Sequence, residues 1–156
     1  MIRWPDRFRP ERAPVHVRNE IDIPAAPERV WAWLVRAPGW PAWYPNSSDV
    51  AIVGNAPELT AGSSFRWRTF GVSLTSQVEE FQPPERLAWT GRGTGVDVCH
   101  AWLLSPTGSG CHVRTEESQY GFLARLDHLL RPRRMEALHQ VWLHALRERA
   151  MSGPPS

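Results

Sequence analysis

The stretch spanning residues 63–119 constrains this chain most. It divides into five runs of period two, at 63–70, 72–81, 86–92, 96–105 and 110–119. Turn residues separate them at Phe70-Gly71, 82–85, Gly93-Thr94 and 106–109. A tight hairpin pairs residues whose numbers sum to a constant. Trp67 should therefore meet Leu74, Val78 should meet Trp89, and Trp89 should meet Val98. Across the last turn Trp102 should meet Val113 and His100 should meet Thr115. Every pair extends one face: Phe65, Trp67, Val72, Leu74, Val78, Leu87, Trp89, Val98, His100, Trp102, Leu104 and Val113. The other face carries Arg66, Arg68, Thr75, Gln77, Glu79, Thr90, Asp97, His112, Arg114 and Glu116. An apolar face backed by a solvated one predicts an antiparallel meander, and a one-residue slip at any turn would have mixed the two.

Such a sheet needs an apolar partner, and the end of the chain supplies one. Over about 133–150, Met135, Leu138, Trp142, Ala145, Leu146 and the stem of Arg149 recur at helical spacing. Val141 and Leu143 flank this stripe, while Arg133, Glu136, Gln140, His144 and Arg147 lie opposite. Pro132 suits the first turn of a helix, and Ser152-Gly153-Pro154-Pro155 stops it. The wide apolar arc predicts a sheet curved around the helix, with a pocket between them. His139 is the polar side chain within the stripe.

Before the meander, Val15, Val17, Ile21 and Ile23 alternate with His16, Arg18, Glu20 and Asp22, which predicts a strand over 15–23. A helix from Pro27 through Val35 follows, with Val30, Trp31 and Leu34 on one side. Trp40-Pro41-Ala42-Trp43-Tyr44-Pro45 reads as a second, short helical turn, 49–53 as a short strand and 55–62 as a loop. Residues 121–130 read as a short helix with Phe122, Leu126 and Leu129 apolar. The domain plan is an irregular arm at 1–14, one domain at 15–150 and a tail at 151–156. Trp4 and Phe8 could pin the arm down; a partner-binding arm is the other reading.

The chain has 156 residues, 42% hydrophobic and 22% charged, with a formal charge of +2. One domain is expected. No long basic run exists, which argues against nucleic acid as partner. All 18 basic residues are Arg, so Schiff-base chemistry and Walker-type phosphate loops, which need Lys, are excluded. The opening residues are charged and Pro-rich and predict no secretory leader. No run approaches the ~18 apolar residues of a membrane span. Cys99 and Cys111 fall on opposite faces of the meander and are expected as reduced thiols in a cytoplasm. Nine Trp predict either a Trp-rich core or an aromatic-lined cavity.

The order is strand, two short helices, six strands and a long C-terminal helix. With the phrases IPAAPERVWAWL, WPAWYP, VEEFQPPERLAW and HAWLLSPTGSGCHVRTEES, the chain resembles the START/Bet v1-like superfamily over about 15–150. The branch it looks most like is that of the polyketide cyclase/dehydrase and lipid-transport proteins. The resemblance implies an α+β helix-grip fold, with a curved antiparallel sheet of about seven strands around the C-terminal helix. It also implies an internal cavity. The superfamily shares no catalytic motif, and its members include lipid and hormone binders, polyketide cyclases, quinone-binding proteins and chaperone activators.

The inward-facing residues give the candidate site. His100, Glu117 and His139 are its polar members. They could form a structural pair, anchor a ligand oxygen or act as acid and base. The expected ligand-binding set is Trp43, Tyr44, Phe65, Trp67, Leu74, Val78, Trp89, His100, Trp102, Thr115, Met135, Leu138, His139 and Trp142. No metal site is expected, because His139 and His144 face different ways and neither HExxH nor CxxC occurs. No cofactor is expected. The favoured function is binding of a hydrophobic small molecule such as a lipid, quinone or polyketide-like aromatic. A cyclase/dehydratase-type enzyme and a chaperone-activator-like interaction module are the alternatives, in a monomer or homodimer.

Overall fold

A computed structural model describes residues 2–155. The ends of the expected arm and tail, Met1 and Ser156, lie outside the described residues. Seven strands form one antiparallel sheet: β1 (Val15–Ile23), β2 (Ser47–Ile52), β3 (Ser64–Thr69), β4 (Val72–Gln82), β5 (Arg86–Gly93), β6 (Val96–Thr107) and β7 (Gly110–Tyr120). The spatial order is β1-β7-β6-β5-β4-β3-β2. Helix α1 (Pro27–Val35) and a 3-10 turn (Ala37–Ala42) connect β1 to β2. Helices α2 (Phe122–Leu130) and α3 (Arg134–Ser152) follow the sheet.

Local chemistry accounts for the hairpin between β3 and β4. Its two turn residues, Phe70 and Gly71, both have positive φ (50° and 77°), as the two-residue turn that matches strand twist demands. Trp67 consequently faces Leu74, and Val78 faces Trp89 across the next turn. Two expected registers need correction. Trp89 pairs with His100, not Val98, and Val98 pairs with Gly91. His100 pairs with Glu117, not Thr115, and Trp102 pairs with Thr115, not Val113. Both turns lie one residue further along than expected, at Thr94-Gly95 and Gly108-Ser109. In the first, Gly95 occupies a left-handed position (φ 69°) that favours glycine. Each correction moves a strand by two residues, so no side chain changes face.

The concave face holds the core. Trp40, Phe65, Trp67, Trp89, Trp102 and Trp142 are all nearly or fully buried. They pack ring against ring, with Trp40 edge-on to Phe65, Trp67 and Trp142 at centroid separations of 6.0, 5.4 and 5.1 Å. Tyr44 stacks on Trp142 at 4.3 Å with planes 7° apart. Trp40 from the 3-10 turn thus plugs the sheet's concave side, its indole N–H donating to the Leu34 carbonyl (3.0 Å).

Helix α3 crosses this face and runs two residues beyond the expected end. Its buried residues are Met135, His139, Trp142, Leu143, Leu146 and Ala150. The stripe is therefore rotated from expectation: Leu143 is fully buried, Leu138 and Ala145 are half-buried, and Val141 is exposed. Asn19 of β1, itself buried, donates to the Glu136 carbonyl and the Gln140 side chain (3.0 and 2.9 Å), which fixes α3 to the sheet edge.

The convex face is not wholly solvated. Ile2 packs with Ala88 and Ala101, and Trp4 and Leu103 join them. Phe8 meets Tyr120 edge-on at 5.8 Å, and Arg7 pairs with Asp97 at 2.8 Å. The Tyr120 hydroxyl lies within hydrogen-bonding reach of the Arg7 and Arg12 carbonyls. The arm therefore lies flat on the sheet.

Candidate functional site

His100 of β6 is fully buried on the concave face. Glu117 lies directly opposite on β7. His139 reaches the same point from α3, its ring stacked on His100 at 4.8 Å. Glu117 Oε2 lies 3.0 Å from His100 Nδ1 and 3.3 Å from His139 Nε2. Glu117 Oε1 accepts a hydrogen bond from Gln119. His100 Nε2 sits 2.6 Å from the Thr115 hydroxyl. The sheet and the helix thus bring the three sequence-predicted polar residues together.

Charge states follow from burial and partners. Removal from water pushes the His100 pKa down, against the raising effect of Glu117, which favours neutral imidazole. Burial alone would raise the Glu117 pKa. The hydrogen bonds and charge interactions of His100 and His139 outweigh that and hold it well below the usual carboxylate range. The Thr115 hydroxyl donates to the Ala101 carbonyl (3.2 Å) and so accepts from His100 Nε2–H, while His100 Nδ1, which makes no hydrogen bond, faces Glu117 at 3.0 Å. Glu117 is then a buried carboxylate that can only accept.

The donor atoms of His100, Glu117 and His139 all lie within 4.8 Å of one another, and these residue types can ligate a cation. The carboxylate lies within ion-pair distance of both imidazoles and accepts from Gln119, while Nδ1 of His100 and Nδ1 of His139 have no hydrogen-bond partner. The Phe70 ring lies edge-on to His139 at 6.1 Å and closes the group on one side.

A cavity of about 230 Å³ adjoins this group. It lies between the ends of β3, β4, β6 and β7, the underside of α2 and the start of α3. Its walls are mainly apolar, among them Trp67, Val72, Leu74, Val98, Leu126 and Met135, and Glu117 contributes to them. Of the expected ligand-binding set, Trp67, Leu74 and Met135 reach this cavity. Phe65, Trp89, Trp102, Trp142 and Tyr44 pack on one another beside it, Val78 joins the same core and Trp43 packs against its margin. Leu138 is half-buried on α3, and Thr115 serves His100. Sequence reasoning missed the contribution of α2, whose Leu123, Ala124, Leu126 and Leu130 roof the cavity. The apolar spacing in 122–130 was its signal; the sequence did not say what lay beneath.

The roof is fixed at both ends. The Leu123 backbone N–H donates to the Gly95 carbonyl (3.0 Å). Gly121 has φ 112°, and a Cβ there would lie 2.2 Å from the Gly95 oxygen. At the far end Asp127 pairs with Arg131 and Arg134 at 2.9 and 3.0 Å.

Comparisons with known proteins agree with this architecture. A crystal structure of hypothetical protein jhp0584 from Helicobacter pylori shares 30% identity, with 96% of each chain covered and a TM-score of 0.88. The di-domain ARO/CYC StfQ from the steffimycin biosynthetic pathway matches at TM-score 0.71 and 14% identity, over 88% of this chain and 51% of that one. Truncated norcoclaurine synthase from Thalictrum flavum matches at TM-score 0.66 and 13% identity, over 86% and 91%. At these identities the last two show the fold alone. The curated proteins yielded no match. Among the described residues no helix is long and apolar enough to cross a membrane. The profile of the polyketide cyclase / dehydrase and lipid transport family matches residues 14–151, nearly the whole length, and the chain belongs to that family.

Proposed function

We propose that this chain binds a hydrophobic small molecule in the cavity beneath α2, with Glu117 receiving its polar end. The observation that carries this reading is a mainly apolar cavity with the buried, ionised Glu117 carboxylate in its wall. At about 230 Å³ the cavity lies just below the usual range of ligand pockets, ~300–1,000 Å³. A carboxylate has roughly four acceptor positions and no donor. Gln119 uses one, and His139 Nε2, 3.3 Å away, can use another. A remaining position can take a donor on the ligand, such as the hydroxyl of a phenol, a quinol or a hydroxylated lipid. The buried free thiols, Cys99 and Cys111, support a reducing, cytoplasmic setting.

Binding of an apolar fluorescent probe, followed by quenching of Trp emission, tests the cavity. Micromolar affinity is expected. Phenols should displace the probe better than their methyl ethers, and Glu117→Gln should narrow that preference. A protein that takes up no probe, or that treats phenol and ether alike, contradicts the reading.

An enzyme of the cyclase or dehydratase type is the second reading. It is favoured by the same cluster, in which the inward His and Glu could serve as acid and base toward a bound ligand. Turnover lost in Glu117→Gln with probe binding retained would favour this reading over simple carriage.

A further inference from the structure

Helix α2 concentrates apolar surface that none of the described residues covers. Eight large hydrophobic residues are exposed among those described, and five lie on this helix: Phe122 (72%), Leu123 (38%), Leu126 (37%), Leu129 (77%) and Leu130 (67%). Ala124 is its one buried residue. Soluble surfaces scatter such residues singly, whereas a contiguous group marks an interface. Arg125, Arg131 and Arg133 are exposed beside them, and Arg134 is half-buried at the same end. Asp127 is the acidic residue within 122–134, and it is already taken by Arg131 and Arg134.

We propose that α2 docks on an anionic lipid bilayer, laying Phe122, Leu129 and Leu130 among the acyl chains while the arginines meet the headgroups. A short amphipathic helix with Phe and Leu on one side and Arg around it binds membrane surfaces by buried apolar area plus attraction to anionic lipid. A second copy of this chain is the poorer occupant, since a two-fold contact through α2 would set the arginine cluster against its own image. The position adds a second argument. The undersides of Leu126 and Leu130 roof the cavity, so the helix that meets the bilayer is also the wall a lipid-soluble ligand would pass. The passage of a ligand through this wall rests on the cavity reading; docking itself does not, because it needs no ligand.

Co-sedimentation of the purified chain, without added ligand, with vesicles of phosphatidylcholine alone or doped with phosphatidylglycerol tests it. The protein should pellet with the doped vesicles, weakly or not at all with the neutral ones, and less as salt is raised. Phe122→Ser with Leu129→Ser should reduce partitioning roughly tenfold or more, and Arg125→Gln with Arg133→Gln should abolish the difference between lipids. Light scattering of the free protein reads the competing occupant. These positions are exposed, and an unchanged circular dichroism spectrum verifies folding; Leu129→Ser alone serves if the pair does not fold. No pelleting with either vesicle overturns the proposal, as does a dimer that Leu129→Ser dissociates. Probe uptake without vesicle binding removes this inference and leaves the cavity reading. Vesicle binding without probe uptake does the reverse.

Discussion

Trp142→Ala separates a packed aromatic core from an aromatic cavity wall. The indole is 1% exposed. It stacks on Tyr44 at 4.3 Å and meets Trp40 and Trp102 edge-on at 5.1 and 5.0 Å. Truncating a buried Trp costs ~3–5 kcal/mol. Aromatic pairs contribute ~0.5–1.5 kcal/mol each beyond area. With ring neighbours on at least three sides, the upper part of the first range is expected. A domain of this size has ~5–15 kcal/mol in all and loses ~2–4 °C of melting temperature per kcal/mol. A fall of roughly 10–20 °C follows. Urea titration read by far-ultraviolet circular dichroism is the assay, since removing a Trp alters the fluorescence itself. Met135→Ala, at the cavity wall, should cost less. A Trp142→Ala loss below ~1.5 kcal/mol would show that the ring borders open space, and the packed-core argument would fail.

Stability should climb with pH over the acidic range. The folded pKa values of His100 and Glu117 both lie below their ordinary values, so the unfolded chain binds more protons and acid favours it. Melting temperature should begin to fall as pH drops below ~6.5 and fall further below ~4.3. His100→Phe should flatten the upper limb and Glu117→Gln the lower; unaltered profiles in both variants would refute the assignment. Gly121→Ala should loosen α2 at a cost of ~1–3 kcal/mol, seen as faster hydrogen exchange across 122–131 with the sheet unchanged; equal exchange would deny the close approach to Gly95. Burial pushes the Cys99 thiol up to about 12 and the Cys111 thiol up to about 11. Both should therefore resist a thiol reagent at neutral pH until urea unfolds the chain, and rapid native labelling would count against it.

Legibility in the sequence followed the range of the physics involved. Trp67 opposite Leu74 was readable because Phe70-Gly71 specifies its own turn. His100 was readable as inward because an even shift of register keeps every side chain on its face. Its partner was not readable, because the Gly-rich 91–95 and 106–110 stretches offer several turns of equal parity. Choosing Thr94-Gly95 depends on how Gly121 and Leu123 sit against Gly95, more than twenty residues away. The rotation of the α3 stripe has a similar cause. Asn19 grips the Glu136 carbonyl, and no helical periodicity contains that contact. The apolar residues of α2 were visible, but their failure to be buried is a property of the assembled molecule.

The sheet order carries a consequence for how the chain is made. Strand β1 is the first to be synthesised, yet its hydrogen-bonding partner is β7, the last. Strand β2 ends the opposite edge. The run from β2 to β7 is built of sequence neighbours and can zip in order as it emerges. Strand β1 must wait with Val15, Ile21 and Ile23 uncovered until Gly110–Tyr120 arrives. Closing that long loop pays its entropy late, which slows folding of such non-local pairings. It leaves an unpaired strand edge open to chaperones, or to other nascent chains, for most of synthesis.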